Sequence, residues 1–167
     1  MSDTSILSLG KGLELREATG DDRAFLFGLH RLAMREYVQA TWGWTEPDQQ
    51  ERFRLNFEPS RIQVLVAEGR DIGALTVLRT PKELVLGNIE ILPAFQRQGI
   101  GSRVVRALLA EANVRRVPLS LQVLKTNPRA RALYERLGFR QISETLTHYV
   151  MRATGPVRAT AATAALI

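Results

Sequence analysis

Between Ile89 and Ser102 the chain reads Ile-Glu-Ile-Leu-Pro-Ala-Phe-Gln-Arg-Gln-Gly-Ile-Gly-Ser. An apolar strand stops at Leu92, and a short loop carrying Gly99 and Gly101 then opens a helix. The first N–H groups of a helix have no partner within it, and glycines beside them let phosphate oxygens approach closely. A pyrophosphate cradle is one reading of this loop; a tight strand-to-helix turn that needs small residues is the other. No Lys-Ser/Thr pair follows the second glycine and there is no Gly-x-Gly-x-x-Gly, which disfavours ATP hydrolysis and Rossmann dinucleotide binding. Within the strand, alternation sets Asn88, Glu90 and Leu92 on one face, opposite Ile89 and Ile91. A carboxylate on so apolar a strand is costly to bury without a partner or a task.

Positioning such groups takes a folded domain. At 167 residues, 45% apolar and 24% charged, the chain has the size and composition of one soluble domain. It has no cysteine, which rules out disulfides, thiolate metal sites and a cysteine nucleophile. The two histidines, His30 and His148, are too few and too distant in sequence for a zinc cage, so no metal is expected. Met1 to Gly10 lacks the basic start and apolar run of a signal peptide, and a cytoplasmic location is the default.

The elements follow from periodicity and punctuation. Leu13 to Ala18 alternates as a strand, Thr19 to Asp22 offers cap chemistry, and Asp21 to about Gln39 repeats at helical spacing. After a loop with Trp42 and Trp44, Thr45 with Pro47 and Asp48 resembles a capping-box start for a second helix to about Phe57. Ile62 to Glu68 and Ile72 to Leu78 read as a hairpin turning at Gly69, Arg70 and Asp71. Leu84 to Leu92 is the longest strand pattern, ended by Pro93. A helix to about Arg116, a strand over Leu119 to Leu124, a helix from Asn127 and Pro128 to Leu137, and strands over Phe139 to Glu144 and His148 to Arg152 complete the order. This is an α/β (α+β) domain over residues 1–152 on one mixed, mostly antiparallel sheet, with a single helical crossover that makes two strands parallel. Residues 153–167 form a Thr/Ala-rich tail, too short to span a membrane.

The net charge of +6 is unevenly spread. Residues 1–88 hold 11 basic and 13 acidic side chains, a net of −2, whereas residues 89–167 hold 12 and 4, a net of +8. A basic half suits a nucleic acid or a phosphorylated cofactor. This half has four aromatic residues and no recognised reading motif, so no nucleic-acid partner is expected.

Two blocks together carry a resemblance. Gln96-Arg97-Gln98-Gly99-Ile100-Gly101 matches Gln/Arg-x-x-Gly-x-Gly/Ala, and Asn127 to Phe139 matches Asn-x-x-Ala-x-x-Leu-Tyr-x-x-x-Gly-Phe. From Leu13 to Arg152 the chain resembles the GNAT superfamily of acetyl-coenzyme A-dependent N-acetyltransferases, most strongly from Leu84 onward. The resemblance implies a parallel strand pair splayed apart to admit the pantetheine arm of acetyl-CoA. It places the pyrophosphate on the backbone of Gln96, Arg97, Gln98, Gly99, Ile100, Gly101 and Ser102. It puts the arm against the backbone of Ile91 and Leu92 on one side and against Asn127 on the other. Arg97, Arg103, Arg129 and Arg131 are candidates for the 3′-phosphate.

The implied reaction is direct attack of a primary amine on the acetyl thioester, aided by proximity and oxyanion stabilisation. Tyr134 matches the family tyrosine assigned to protonating the leaving thiolate. Glu90 is the candidate base; a structural carboxylate paired with an arginine is the alternative. By the same resemblance the segment joining the first two helices lines the acceptor site, where Tyr37, Trp42, Trp44 and Glu46 make an aromatic and anionic wall near Asn88. Core packing is the simpler role for His148 and Tyr149. A small-molecule amine is the expected acceptor and a homodimer the expected assembly. Acetylation of a protein or aminoacyl-tRNA amine, and a non-catalytic acyl-CoA sensor, are the alternatives.

Overall fold

The computed structural model describes residues 7–154. Most of the 153–167 tail therefore lies outside the described residues. Seven strands form one sheet in the order β1-β2-β3-β4-β5-β7-β6. They are β1 Leu13–Glu17, β2 Gln63–Ala67, β3 Arg70–Arg79, β4 Leu84–Ile91, β5 Leu119–Leu124, β6 Arg140–Glu144 and β7 His148–Ala153. Every neighbouring pair is antiparallel except β4 and β5, which are parallel across the crossover helix α3, Ile100–Arg115. The other helices are α1 Arg23–Trp42, α2 Glu46–Asn56 and α4 Pro128–Arg136. None of the helices among the described residues is long and apolar enough to cross a membrane.

Strand alternation divides the core in two. Leu65, Leu75, Leu84 and Leu86 face α3 and pack on its buried stripe of Val104, Val105 and Leu108. Val64 and Ala74 turn to the opposite face and meet Leu26 and Leu29 of α1, with Phe53 of α2 beside them. Leu108 is fully buried, so truncating it to alanine would cost about 2–5 kcal/mol.

Local chemistry moved several boundaries. The β2–β3 turn consists of Glu68 and Gly69 alone, both with positive φ (50° and 74°), the backbone a two-residue hairpin turn requires; Arg70 and Asp71 already belong to β3. Helix α1 runs past Gln39 to Trp42, because the Thr41 hydroxyl bonds the Tyr37 carbonyl and Gly43, with φ of 84°, ends the helix. Thr45 makes no side-chain cap; its carbonyl accepts the Gln49 N–H at 3.1 Å, and the expected capping box is absent. The cap chemistry expected over Thr19 to Asp22 is present and takes the form of a capping box: the Thr19 N–H donates to Asp22 at 2.8 Å and the Asp21 N–H donates to the Thr19 hydroxyl at 3.3 Å.

The feature that makes room for a site lies at the middle of the sheet. β4 pairs with β5 only from Leu84–Leu86 to Leu119–Leu121. Beyond that, Gln122, Val123 and Leu124 pair with β7 alone, and β4 continues with β3 alone. The register against β3 shifts there too, with Val77 opposite Leu86 but Thr76 opposite Asn88, so Gly87 is an extra residue and β4 bends. Two central strands thus separate, and Gly87 and Asn88 are exposed in mid-sheet. On the β3 side the strands stay tight: a Cβ added to Gly73 would lie 2.4 Å from the Glu90 carbonyl oxygen. Gly73→Ala is expected to cost about 1–3 kcal/mol by forcing the strands apart, seen as a lower denaturation midpoint at unchanged slope. An unchanged midpoint would show that β3 yields freely.

Candidate active site

The loop between β4 and α3 is built as a backbone cradle. Pro93–Phe95 forms a 3₁₀ turn, Arg97 and Gly99 take left-handed backbone (φ 61° and 78°), and the first helical bond runs from the Arg103 N–H to the Gly99 carbonyl at 3.0 Å. The N–H groups of Ile100, Gly101 and Ser102 therefore have no helical partner and open toward solvent at the positive end of a 16-residue helix. Such left-handed turns gather N–H groups into an anion-binding concavity. The Gln96 amide pins the loop by donating to the Ile91 carbonyl at 2.8 Å, and the Gln98 amide donates to the Ala94 carbonyl at 3.0 Å.

A cavity of about 590 Å³ extends from this cradle along the splayed edge of β4. It is lined by Ile91, Gln96, Arg97, Gly99, Ile100, Gly101 and Ser102 on one side and by Asn127, Arg129 and Arg136 on the other. Asn127 also caps α4 by accepting the Ala130 N–H at 3.1 Å. Four of the residues read from the sequence are turned to other work. Leu92 donates its N–H to Ile72 at 2.8 Å and accepts from Phe95, so alternation leaves the N–H and carbonyl of Ile91, not Leu92, facing the gap. Gln98 does not line the cavity, and Arg131 bonds Glu135 and lies over the Tyr149 ring, 4.0 Å from its centroid. Arg103 clasps the carbonyls of Leu9 and Lys11. Arg136, which sequence reasoning passed over, joins Arg97 and Arg129; its position three residues before Phe139 gave no sign of it.

A second cavity, of about 420 Å³, lies on the α1 side of the gap. Met34, Ile89, Glu90, Asn127, Ala130 and Tyr134 line both cavities, so the two meet there. Glu90 stands at the junction, 6% exposed, and its carboxylate meets the His30 Nδ1 at 2.9 Å. The partner is thus a histidine from α1, not the arginine considered from the sequence. The other ring nitrogen of His30 lies 3.4 Å from Gln49 of α2, and the Trp44 ring centroid is 5.7 Å away. Burial pulls the His30 pKa down, but the hydrogen bond and charge of Glu90, helped by Gln49, outweigh it and hold it above the usual imidazole value.

Tyr134, on α4, is 7% exposed and packs on Phe139 with ring centroids 5.6 Å apart. Among the described residues its hydroxyl has no hydrogen-bond partner, and it is not a sealed orphan either, which leaves it open to the cavities. Burial pushes its pKa up to about 12, so the phenol keeps its proton at any working pH.

Of the expected acceptor wall, Trp42 and Asn88 line the second cavity, while Tyr37 lines the first. Trp44 and Glu46 line neither. The Trp44 indole donates to Glu46 at 3.1 Å and Glu46 pairs with Arg31 at 3.4 Å, which ties the α1–α2 connection together. His148 lines the second cavity with its ring 6.0 Å from that of Trp42, whereas Tyr149 packs with the core as expected.

The sequence model described as "Acetyltransferase (GNAT) family" matches residues 27–139, well over half of the chain. The chain belongs to the GNAT family of N-acetyltransferases. Curated relatives agree over a shorter stretch. The chain is 36% identical over 70 residues to the [Ribosomal protein bS18]-alanine N-acetyltransferase of Haemophilus ducreyi, covering 41% of this chain and 48% of that one. It is 40% identical over 68 residues to the enzyme of that name from Escherichia coli (strain K12), covering 40% and 46%. The matched segment spans about half the length of these relatives. Among solved structures, the GNAT fold is shared with the Escherichia coli ribosomal-protein-S18-alanine N-acetyltransferase (TM-score 0.63, 22% identity, 90% of this chain and 99% of that one). It is shared also with the PaiA N-acetyltransferase from Thermoplasma acidophilum, solved in complex with coenzyme A (TM-score 0.66, 14% identity, 85% and 98%).

Proposed function

We propose that this GNAT enzyme transfers the acetyl group of acetyl-CoA to the primary amine of a small molecule by direct attack in a ternary complex. The observation that carries the reading is the shared wall: a cradle-bearing cavity and a second cavity meet at Glu90 and Tyr134. The first cavity fits the donor. Backbone N–H groups of Ile100, Gly101 and Ser102 would take the pyrophosphate, and Arg97, Arg129 and Arg136, which line the same cavity, would supply cations to a further phosphate. The gap between β4 and β5 would take the arm, with the Asn127 amide on its α4 side.

Acetyl-CoA supplies an activated acyl group, and the protein supplies position and charge. The Ile91 N–H, facing the gap, would donate to the thioester oxygen as negative charge develops on it. Glu90 would receive a proton from the arriving ammonium, freeing the nitrogen lone pair. The C–N bond forms, the C–S bond breaks, and the Tyr134 hydroxyl donates a hydrogen bond to the departing sulfur. An ordinary thiol has a pKa near 8.5, so full transfer from a phenol held near 12 is uphill. Tyr134 stabilises the thiolate, and solvent completes its protonation. One proton is released overall.

Coenzyme A release, followed by thiol titration, tests this across polyamines, aminosugars, amino acids, simple alkylamines and lysine peptides. Turnover with one small-amine class is expected. A second reading has a specific observation behind it, since the curated relatives act on ribosomal protein bS18 alanine. If peptides with a free N-terminal alanine respond and small amines do not, the acceptor is a protein N-terminus.

A further inference from the structure

The two cavities differ in chemistry. Arg97, Arg129 and Arg136 line the first, whereas among the described residues no lysine or arginine lines the second. Leu26, Val38, Phe53 and Ala74 are among the apolar residues that line the second cavity, with the amides of Asn88, Gln122 and Asn127 and the histidines His30 and His148 beside them. Its single carboxylate is Glu90, at the junction with the first. Trp42 lines only the second cavity and is 59% exposed, which puts the indole at the mouth, beside the His148 ring.

We propose that the acceptor carries one ammonium group on an apolar, ring-bearing body, and that this site discriminates against amines bearing a carboxylate, a phosphate or a second ammonium. The inference rests on the acetyltransferase reading and on the second cavity being the acceptor site. An ammonium entering from the mouth meets Glu90 at the point where the acyl group would lie. Its body is left against aliphatic and aromatic walls, where each buried CH₂ contributes about 0.8 kcal/mol. A substrate carboxylate would lose its water there with no lysine or arginine to meet it and with His30 already engaged by Glu90, and a second ammonium would find no second carboxylate. An aromatic ring reaching the mouth would stack against Trp42 and His148.

The test measures kcat/KM by coenzyme A release at saturating acetyl-CoA for 2-phenylethylamine, butylamine, phenylalanine and 1,4-diaminobutane. 2-Phenylethylamine is expected to lead, with phenylalanine roughly 100-fold lower because its carboxylate is desolvated unpaired. In Trp42→Ala, the preference for 2-phenylethylamine over butylamine is expected to shrink about 3- to 10-fold, the contribution of one aromatic pair. Equal use of phenylalanine or 1,4-diaminobutane, or an unchanged preference in Trp42→Ala, would overturn the acceptor assignment. Calorimetry with acetyl-CoA separates the failures. Binding with turnover only on peptides or on charged amines would remove this inference and leave the acetyltransferase reading intact; no binding at all would remove both.

Discussion

Replacing Tyr134 by phenylalanine is expected to lower turnover about 10- to 100-fold while acetyl-CoA binds as before, less than full proton transfer contributes because the hydroxyl only hydrogen-bonds the departing sulfur. The ring would still pack on Phe139, so the fold is not at stake; only the hydroxyl between the two cavities is lost. Calorimetry reads the binding and thiol titration reads the turnover. Because burial holds the phenol near 12, its ionisation should leave no mark on the rate below about pH 11. Any fall in rate between pH 8 and 10 should therefore persist in the variant. Unchanged turnover would remove Tyr134 from the reaction.

Glu90→Gln should cost more at neutral pH, about 100- to 1,000-fold in kcat/KM, since the ammonium then has to lose its proton to bulk water. Glutamine can still accept the hydrogen bond from His30, so the change isolates charge from shape. The residual rate should climb about tenfold per pH unit as the free amine fraction rises. His30 adds a second signature. Its pKa is raised, so as pH falls through that value imidazolium forms beside Glu90 and offsets the charge an incoming ammonium needs. The KM for the amine should then rise on the acid side, and His30→Gln should abolish that rise. Tyr134 and His148 also line this cavity, and neither is replaced in that variant. An acid limb that survives His30→Gln would belong to another group. A Glu90→Gln enzyme with the wild-type pH profile would assign the carboxylate a structural role.

Much of this architecture can be read from the chain because its elements are separately punctuated. Pro93 and Pro118 stop their elements, Asn127 caps α4, and Gly138, with φ of 94°, ends it. The central alternation also holds, with Leu92 on the α1 side of the sheet and Ile89 and Ile91 on the α3 side. Contacts between distant segments leave no local trace. His30 lies 60 residues from Glu90 and looks like any polar residue on an amphipathic helix. The splay point depends on Gly87, an extra residue visible only when β3 is laid against β4. Trp42 and Trp44 are two residues apart, yet one lines a cavity and the other braces a loop; α1 continuing to Trp42 sets their directions. Charge alone marks Arg103 and Arg131 as phosphate ligands, yet both spend their guanidinium groups on carbonyls or a carboxylate.

On the proposed reading, donor and acceptor occupy adjoining cavities together and the acyl group passes straight between them at Glu90 and Tyr134. Initial rates of coenzyme A release, with acetyl-CoA and a responsive amine varied against each other, test it most directly. Double-reciprocal lines that intersect are expected, the mark of a ternary complex. Parallel lines, with acetyl-labelled protein recovered when the amine is omitted, would show a covalent acyl-enzyme and contradict it.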